Sequence, residues 1–516
     1  MTQRSGPRQP KDRQRVAASA ESSTWLVEAN FQQAQLAHQR GDWAQAKSLY
    51  EWILGVVPHH VPSMHYLGVM AIQQEEFQTA VQWLERAMAL QPNDPTLLTH
   101  GAVALLRQKS YDAAIAACDR ALALDPTCVG AHYNRADALQ ANAQYEESVR
   151  AYDAALALAP QSVELYVNRG NALQELRDFT AAEASYSQAL SLHPDIFQAY
   201  LNRGNVRVEL GRWDEALADY DQASRLQPEV EQVHINRANV LLQQQRWDEA
   251  LAFFDRVNTP AARAEALKCL HELGRHDEFF ARVKAQRELD RSNVRAASIV
   301  AFVAQQKRQH NEHAFCPHPL AMVHKGHIAT HEPHADLFIE SLIETLLLRK
   351  SVWNPLRKAT QSGFQTPSSL FVRPEGVMKR LEDIIHLEIA EFQRRFQSES
   401  CYLMQGWPAS WQLEGWFVRL KRSGFQLTHI HPEGWISGVV YLQVVPSLDQ
   451  EEGAIEFGLH GDGLTVSDQD YPRHVHLPKR GDIVLFPSSL FHRTIPFSTD
   501  DDRMIVAFDL VPRTAP

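Results

Sequence analysis

Apolar and polar positions follow two different rhythms along this chain. Through the first half the pattern returns every 34 residues. Aromatic residues keep this step at Trp43, Phe77, Tyr111, Tyr145, Phe179, Trp213 and Trp247, and prolines keep it at Pro58, Pro92, Pro126, Pro160, Pro194 and Pro228. Small residues do the same at Ala46, Ala80, Ala114, Ser148, Ala182, Ala216 and Ala250, and again at Gly68, Ala102, Ala136, Gly170, Gly204 and Ala238. Small residues let two helices approach, and the aromatic fills the gap between them. Proline follows the second helix, which it cannot continue. No single pair of this kind buries its own apolar face, so pairs stack into a solenoid. The regular period stops after Trp247. Residues 260–290 remain helical in pattern, with Gly274 at a turn, and predict a degenerate capping pair. In the second half, Leu337–Arg349 and Gly376–Phe396 have helical periodicity. From Trp416 onward, short apolar runs alternate with turn residues, which predicts a closed or sandwiched β-structure.

The first pattern resembles the tetratricopeptide repeat over roughly residues 26–290. The resemblance implies a superhelix with a groove that holds a protein or peptide. Four central repeats carry a further regularity: Asn134, Asn168, Asn202 and Asn236, each followed by arginine, and three residues later Asp137, Asn171, Asn205 and Asn239. Asparagine is a poor helix-interior residue, because its side chain competes for backbone hydrogen bonds. In a groove its amide both donates and accepts. The ladder is similar to the asparagine ladder of the protein O-GlcNAc transferase superhelix, which makes these amides candidate contacts for an extended peptide. The competing expectation is that they solvate or join ordinary repeats.

The length of 516 residues allows two or three domains. Acidic residues outnumber basic ones, 62 to 51, for a formal charge of −11. That balance argues against nucleic acid as the main partner. Five scattered cysteines suit a reducing cytoplasm. No apolar run is long enough to span a bilayer, and the polar opening stretch, 1–23, lacks a signal-peptide core and reads as a disordered tail. Residues 291–336 lose all periodicity and are rich in histidine (His310, His313, His318, His324, His327, His331, His334), which predicts a neutral polar linker.

Candidate chemistry gathers at THIHPEGWISGVVYL, residues 428–442. His429 and His431 are two apart, so on a strand they face the same way. About sixty residues later FPSSLFH ends in His492, and Arg503 then opens the run MIVAFDLV. Three convergent imidazoles, or two with a carboxylate, suit a first-row transition metal. This ordered series, H-x-H, SG-x-x-YL, FPS, H and R, resembles the double-stranded β-helix of the 2-oxoglutarate- and Fe(II)-dependent oxygenases over about residues 411–512. Residues 453–457 and 478–486 match that superfamily's mid-barrel strands. The resemblance implies Fe(II), 2-oxoglutarate as co-substrate and O2. His429 and His492 would be ligands, and Arg503 would hold the oxoglutarate tail. Ser437 and Tyr441, alternating on the strand after the ligands, are further co-substrate candidates. The position of the usual carboxylate is His431, and Ile505 stands where many relatives have serine. The third ligand is therefore open between His431, Glu433 and no protein ligand. Pro432 interrupts pairing before Glu433, which favours His429, His431 and His492.

The expectation is a multi-domain α + β protein, an α-solenoid (tetratricopeptide superhelix) followed by a double-stranded β-helix (jelly-roll) domain with flanking helices. Its parts are a tail at 1–23, repeats at 24–259, capping helices at 260–290, a linker at 291–336 and an oxygenase-like domain at 337–516. Its expected activity is hydroxylation of a protein or peptide recruited by the repeats, in the cytoplasm, with the oligomeric state left open. The alternatives are a non-catalytic adaptor with a degenerate barrel, favoured by the missing carboxylate, and an oxygenase acting on a small molecule.

Overall fold

The computed structural model describes residues 10–355, 358–367, 369–446, 451–461, 463–464 and 471–513, with only the backbone described for 10–24. The chain divides into two compact units, Met1–Val233 and His234–Pro516. No described helix is long and apolar enough to cross a membrane.

The first unit is helical. Helix Pro10–Gln39 starts within the stretch expected to be a tail, of which residues 1–9 lie outside the described residues. Helix Trp43–Val56 follows, and then the pairs Val61–Gln73 with Phe77–Leu90, Pro95–Arg107 with Tyr111–Leu124, Val129–Ala141 with Tyr145–Leu158, Val163–Glu175 with Phe179–Leu192, and Phe197–Glu209 with Trp213–Leu226. Each second helix starts on the periodic aromatic. The small positions are small for a steric reason: a Cβ added at Gly170 or Gly204 would lie 2.6 Å from the ring of Tyr186 or Tyr220.

The arginines that follow the ladder asparagines join neighbouring helices. Arg135 Nε donates to Asp119 and Arg169 Nε to Asp153, both at 2.6 Å and both sixteen residues back. At the next repeat that position is Ser187, and Arg203 pairs instead with Asp219, sixteen residues forward, at 2.6 and 3.0 Å. Asp219 is 2 % exposed and also accepts from Arg207 at 2.8 Å.

The second unit takes in the helices from His234 onward, whereas the sequence alone draws a boundary after residue 259. The reason is a continuous core. Helix Val294–Lys307 is buried along most of its length, packs on helix Pro260–Glu272, and contributes Val294 and Ala297 to the main apolar cluster of the β-sheets. The stretch 291–336 is accordingly built into the fold and is no linker. Among its histidines, His313 and His324 are buried, His331 is half-buried, and all three are tied into the fold, whereas His310, His318 and His334 are exposed. His324 and His331 each bond one oxygen of the buried Glu388, at 2.8 and 2.7 Å, and His313 Nδ1 accepts from Phe315 N at 3.2 Å.

Ten strands follow: β1 (His324–His327), β2 (Val352–Trp353), β3 (Thr360–Gln365), β4 (Trp411–Gln426), β5 (Ile436–Gln443), β6 (Ile455–Gly458), β7 (Arg473–His476), β8 (Asp482–Pro487), β9 (Phe491–Thr494) and β10 (Arg503–Pro512). They form a seven-stranded sheet in the order β1-β8-β5-β10-β4-β3-β2 and a three-stranded sheet in the order β7-β6-β9, with antiparallel pairing throughout. Strand alternation sorts the side chains. Val440, Leu442, Val506 and Phe508 pack in a cluster with Ile339 of helix Ala335–Leu347 and Ile385 of helix Gly376–Phe396, while Val439, Tyr441, Ile505 and Phe486 pack in a second cluster with Ile455 and Phe457 of the smaller sheet. Gly438 is required where it pairs with Phe508 across β5 and β10, since an added Cβ would lie 2.2 Å from the Phe508 ring.

Candidate metal centre

The three histidines converge because two loops are pinned to each other. His429, ahead of β5, and His492, on β9, form an isolated bridge in which each backbone N donates to the other's carbonyl at 3.1 Å. His431 N donates to Ser488 O at 3.1 Å. The ring centroids are 4.3 Å apart for His429 and His492, 5.0 Å for His429 and His431, and 5.1 Å for His431 and His492. One ligand nitrogen from each lies within 4.8 Å of the others. Trp416 stacks on His431 with centroids 5.6 Å apart.

Each ring has already committed one nitrogen. Nδ1 of His429 bonds Leu427 O at 2.6 Å, and Nδ1 of His492 bonds Leu490 O at 3.1 Å. Nδ1 of His431 bonds the carboxylate of Asp509 at 2.7 Å. As these acceptors carry no proton, each ring donates from Nδ1, and Nε2 is the nitrogen left to ligate. His431 Nε2 is buried without a hydrogen-bonding partner. Burial pushes the His429 imidazole down to about 4, with His431 adding to the shift, and holds His492 well below the usual histidine range. Neutral imidazoles with free Nε2 lone pairs are the form that ligates a metal.

Asp509 is the functional residue that sequence reasoning missed. It sits inside MIVAFDLV on β10, is 8 % exposed, and accepts from Ser437 Oγ at 2.6 Å as well as from His431. Ser437 Oγ lies 2.8 Å from Ser488 Oγ, so this hydroxyl is engaged with the carboxylate. The available signal was a lone acid in an otherwise apolar central strand, which needs a partner when buried.

Arg503 is 1 % exposed. Its nearest acidic neighbour in sequence, Asp502, is taken by Arg419 and Lys421. Arg503 Nε donates to Gly453 O at 3.2 Å, its guanidinium lies 5.2 Å from the centroid of the Tyr441 ring, and it and the Tyr441 hydroxyl are each other's polar neighbours in a fully buried place. Burial pushes the Tyr441 phenol up to about 12. The three histidines, Ser437 and Arg503 line one interior slot of about 10 Å³, room for one water. Outside it, His429, His431, Asp509, Trp416, Lys358 and Glu433 line an open cleft of about 390 Å³. Glu433 is exposed and stands outside the histidine cluster.

The ladder residues have partners within the repeats. Asn134 Nδ2 donates to Thr99 O at 3.4 Å, Asn168 Nδ2 to Tyr133 Oη at 3.1 Å and Asn202 Nδ2 to Asn171 Oδ1 at 2.8 Å. In the second row, Asn171 and Asn205 accept from Tyr186 and Tyr220, each at 2.8 Å, and Asp137 accepts from Tyr152. Asn236 and Asn239 lie on helix Glu231–Gln243, and Asn239 is exposed.

The family described as "Putative 2OG-Fe(II) oxygenase" matches residues 414–509. The family described as tetratricopeptide repeat matches residues 31–95, 133–195, 167–207 and 201–265, and the family described as anaphase-promoting complex, cyclosome, subunit 3 matches residues 73–155. Among solved structures, a tetratricopeptide repeat protein from Parabacteroides merdae is 16 % identical, with 46 % of this chain and 97 % of that chain covered and a TM-score of 0.37. MamA from Desulfovibrio magneticus is 19 % identical, covering 33 % and 96 % with a TM-score of 0.32. YrrB, titled as a tetratricopeptide protein with an unusual peptide-binding site, is 19 % identical, covering 39 % and 97 % with a TM-score of 0.31. No curated protein matches the chain.

Proposed function

We propose that this chain, which joins N-terminal tetratricopeptide repeats to a C-terminal 2OG-Fe(II) oxygenase domain, hydroxylates a protein or peptide recruited by the repeats. The observation that carries the reading is the Nδ1 hydrogen bond that each of the three histidines makes, together with one ligand nitrogen from each lying within 4.8 Å of the others. The residues fit Fe(II) by this donor set. They fit 2-oxoglutarate by the buried Arg503, whose planar guanidinium lies beside the buried Tyr441 hydroxyl with no carboxylate paired to it among the described residues. Bound iron with 2-oxoglutarate and O2 supplies the oxidising chemistry, and the protein binds and orients the target. His429, His431 and His492 hold the metal, with Glu433 left outside the set. Arg503 and Tyr441 anchor the co-substrate carboxylate. Trp416, Lys358 and Glu433 meet the substrate in the outer cleft. Co-substrate binding requires the side chains of the 10 Å³ slot to open.

The test is succinate release from 2-oxoglutarate by iron-loaded protein, with and without proteins from a cell extract. The expected result is release stimulated by the extract and lost, with iron binding, in His492→Ala. A closed slot also favours a second reading, a non-catalytic adaptor. Protein purified without oxygen that takes up no iron would establish that reading in place of the first.

A further inference from the structure

The second row of ladder residues has one member that is built differently from the others. Asp137, Asn171 and Asn205 each accept from a tyrosine hydroxyl fifteen residues on, from Tyr152, Tyr186 and Tyr220. At the same spacing from Asn239 the residue is Phe254, which has a ring and no hydroxyl. Asn239 is exposed and has no hydrogen-bonding partner among the described residues. Its amide opens onto a cavity of about 540 Å³ whose wall includes Ile235, Phe254, Pro260, Val294, Pro432 and Glu433. Pro432 and Glu433 also line the cleft in front of the histidines, so the two cavities share a wall.

We infer that this cavity is a substrate subsite that takes an extended polypeptide segment on its way to the metal centre. Asn239 clasps the backbone, and Glu433 selects a lysine or arginine beside the residue that reaches the histidines. The inference rests on the proposed hydroxylase reading. The volume lies within the usual range for ligand sites, and the wall is half polar, with Thr259, Ser292, Asn293 and Arg295 beside the apolar residues. An asparagine amide both donates to and accepts from a peptide backbone, which is why its release from the tyrosine matters. The acid at the junction is exposed and has no ion-pair partner among the described residues, while the other acid of the cavity, Glu265, is paired with Arg295 at 2.5 Å. Glu433 is thus the acid of this wall that is available to pair with a cation on the occupant.

The test uses the full chain and an array of synthetic dodecapeptides, followed by affinity measurements in solution on the peptides captured. Binding is expected to favour peptides with lysine or arginine. Asn239→Ala is expected to weaken it about tenfold, as the loss of a paired amide predicts. Phe254→Tyr restores the hydroxyl of the other repeats and is expected to weaken binding similarly by recapturing Asn239. Glu433→Lys is expected to shift preference to acidic peptides. Affinity in Asn239→Ala and Phe254→Tyr that stays equal to that of the unmodified chain, or no peptide captured by the unmodified chain, overturns the inference. A separate iron titration of the unmodified chain isolates the other failure: peptide binding without iron uptake refutes the hydroxylase reading and leaves the subsite standing.

Discussion

At the scale of single residues, the negative charge that a carboxylate ligand would bring is supplied one bond further out. Asp509 holds His431 through Nδ1, and its other partner is a neutral serine hydroxyl. Outer carboxylates of this kind fix the ring's tautomer and raise its basicity toward a metal. In Asp509→Asn the amide oxygen can still accept from Nδ1, so the variant removes mainly the charge. It should weaken Co(II) or Fe(II) binding by roughly tenfold to a hundredfold while the metal-free protein melts no lower than the original, because a buried charge without a counter-ion is itself costly. Calorimetric titration of metal against both proteins checks this. Equal metal affinity with a lower melting temperature would reduce Asp509 to a structural role.

At the scale of elements, the ladder shows how one repeated motif serves packing and leaves one position over. The arginines after the asparagines join helices through an aspartate behind or ahead of them, and Asp219 serves both Arg203 and Arg207. Removing the shared acid leaves two guanidinium groups short of a partner in a half-buried place, so Asp219→Ala should cost about 3 kcal/mol in stability. Denaturant unfolding measures the loss. Adding Ser187→Asp should recover part of it, since Ser187 holds the place of Asp153 one repeat on and already accepts from Arg203 at 3.1 Å. Between strands the pairing of β10 with β5 is as strict. Gly438→Ala forces a methyl group against Phe508 and should cost about 1–3 kcal/mol, seen as a lower thermal midpoint.

At the scale of the whole molecule, the buried histidines make the metal-free protein acid-sensitive. Burial pushes His313 down to about 4, and the residue is 4 % exposed. As pH falls through about 6.5 the unfolded chain takes up a proton that the folded chain still refuses. Stability therefore declines between about 6.5 and 4 and levels off below, by on the order of 3 kcal/mol from this residue at 1.36 kcal/mol per pKa unit. Thermal melts of metal-free protein at pH 7 and pH 5 check the sign. His313→Gln should show a smaller drop between the two pH values than the unmodified chain, and an equal drop would assign the acid sensitivity elsewhere.

The repeat helices and the β-rich second half were legible in the chain because each rests on a local pattern: a step of 34 residues for the helix pairs, and short alternating apolar runs for the strands. Tertiary contacts settle what has no period. His429 and His431 lie ahead of β5, off any strand, and the bridge from His429 to His492 with the bond from His431 to Ser488 brings the three rings together. His324 and His331 read as linker because their partner, Glu388, lies some sixty residues away on helix Gly376–Phe396. Asp509 was hidden in an apolar run, and its meaning depends on the cross-strand pairing that sets it opposite Ser437. The asparagine ladder was plain to read, but whether each amide faces a tyrosine or an open cavity depends on the neighbouring helix. Such contacts are set by which strands and helices become neighbours, and local propensity does not encode that choice.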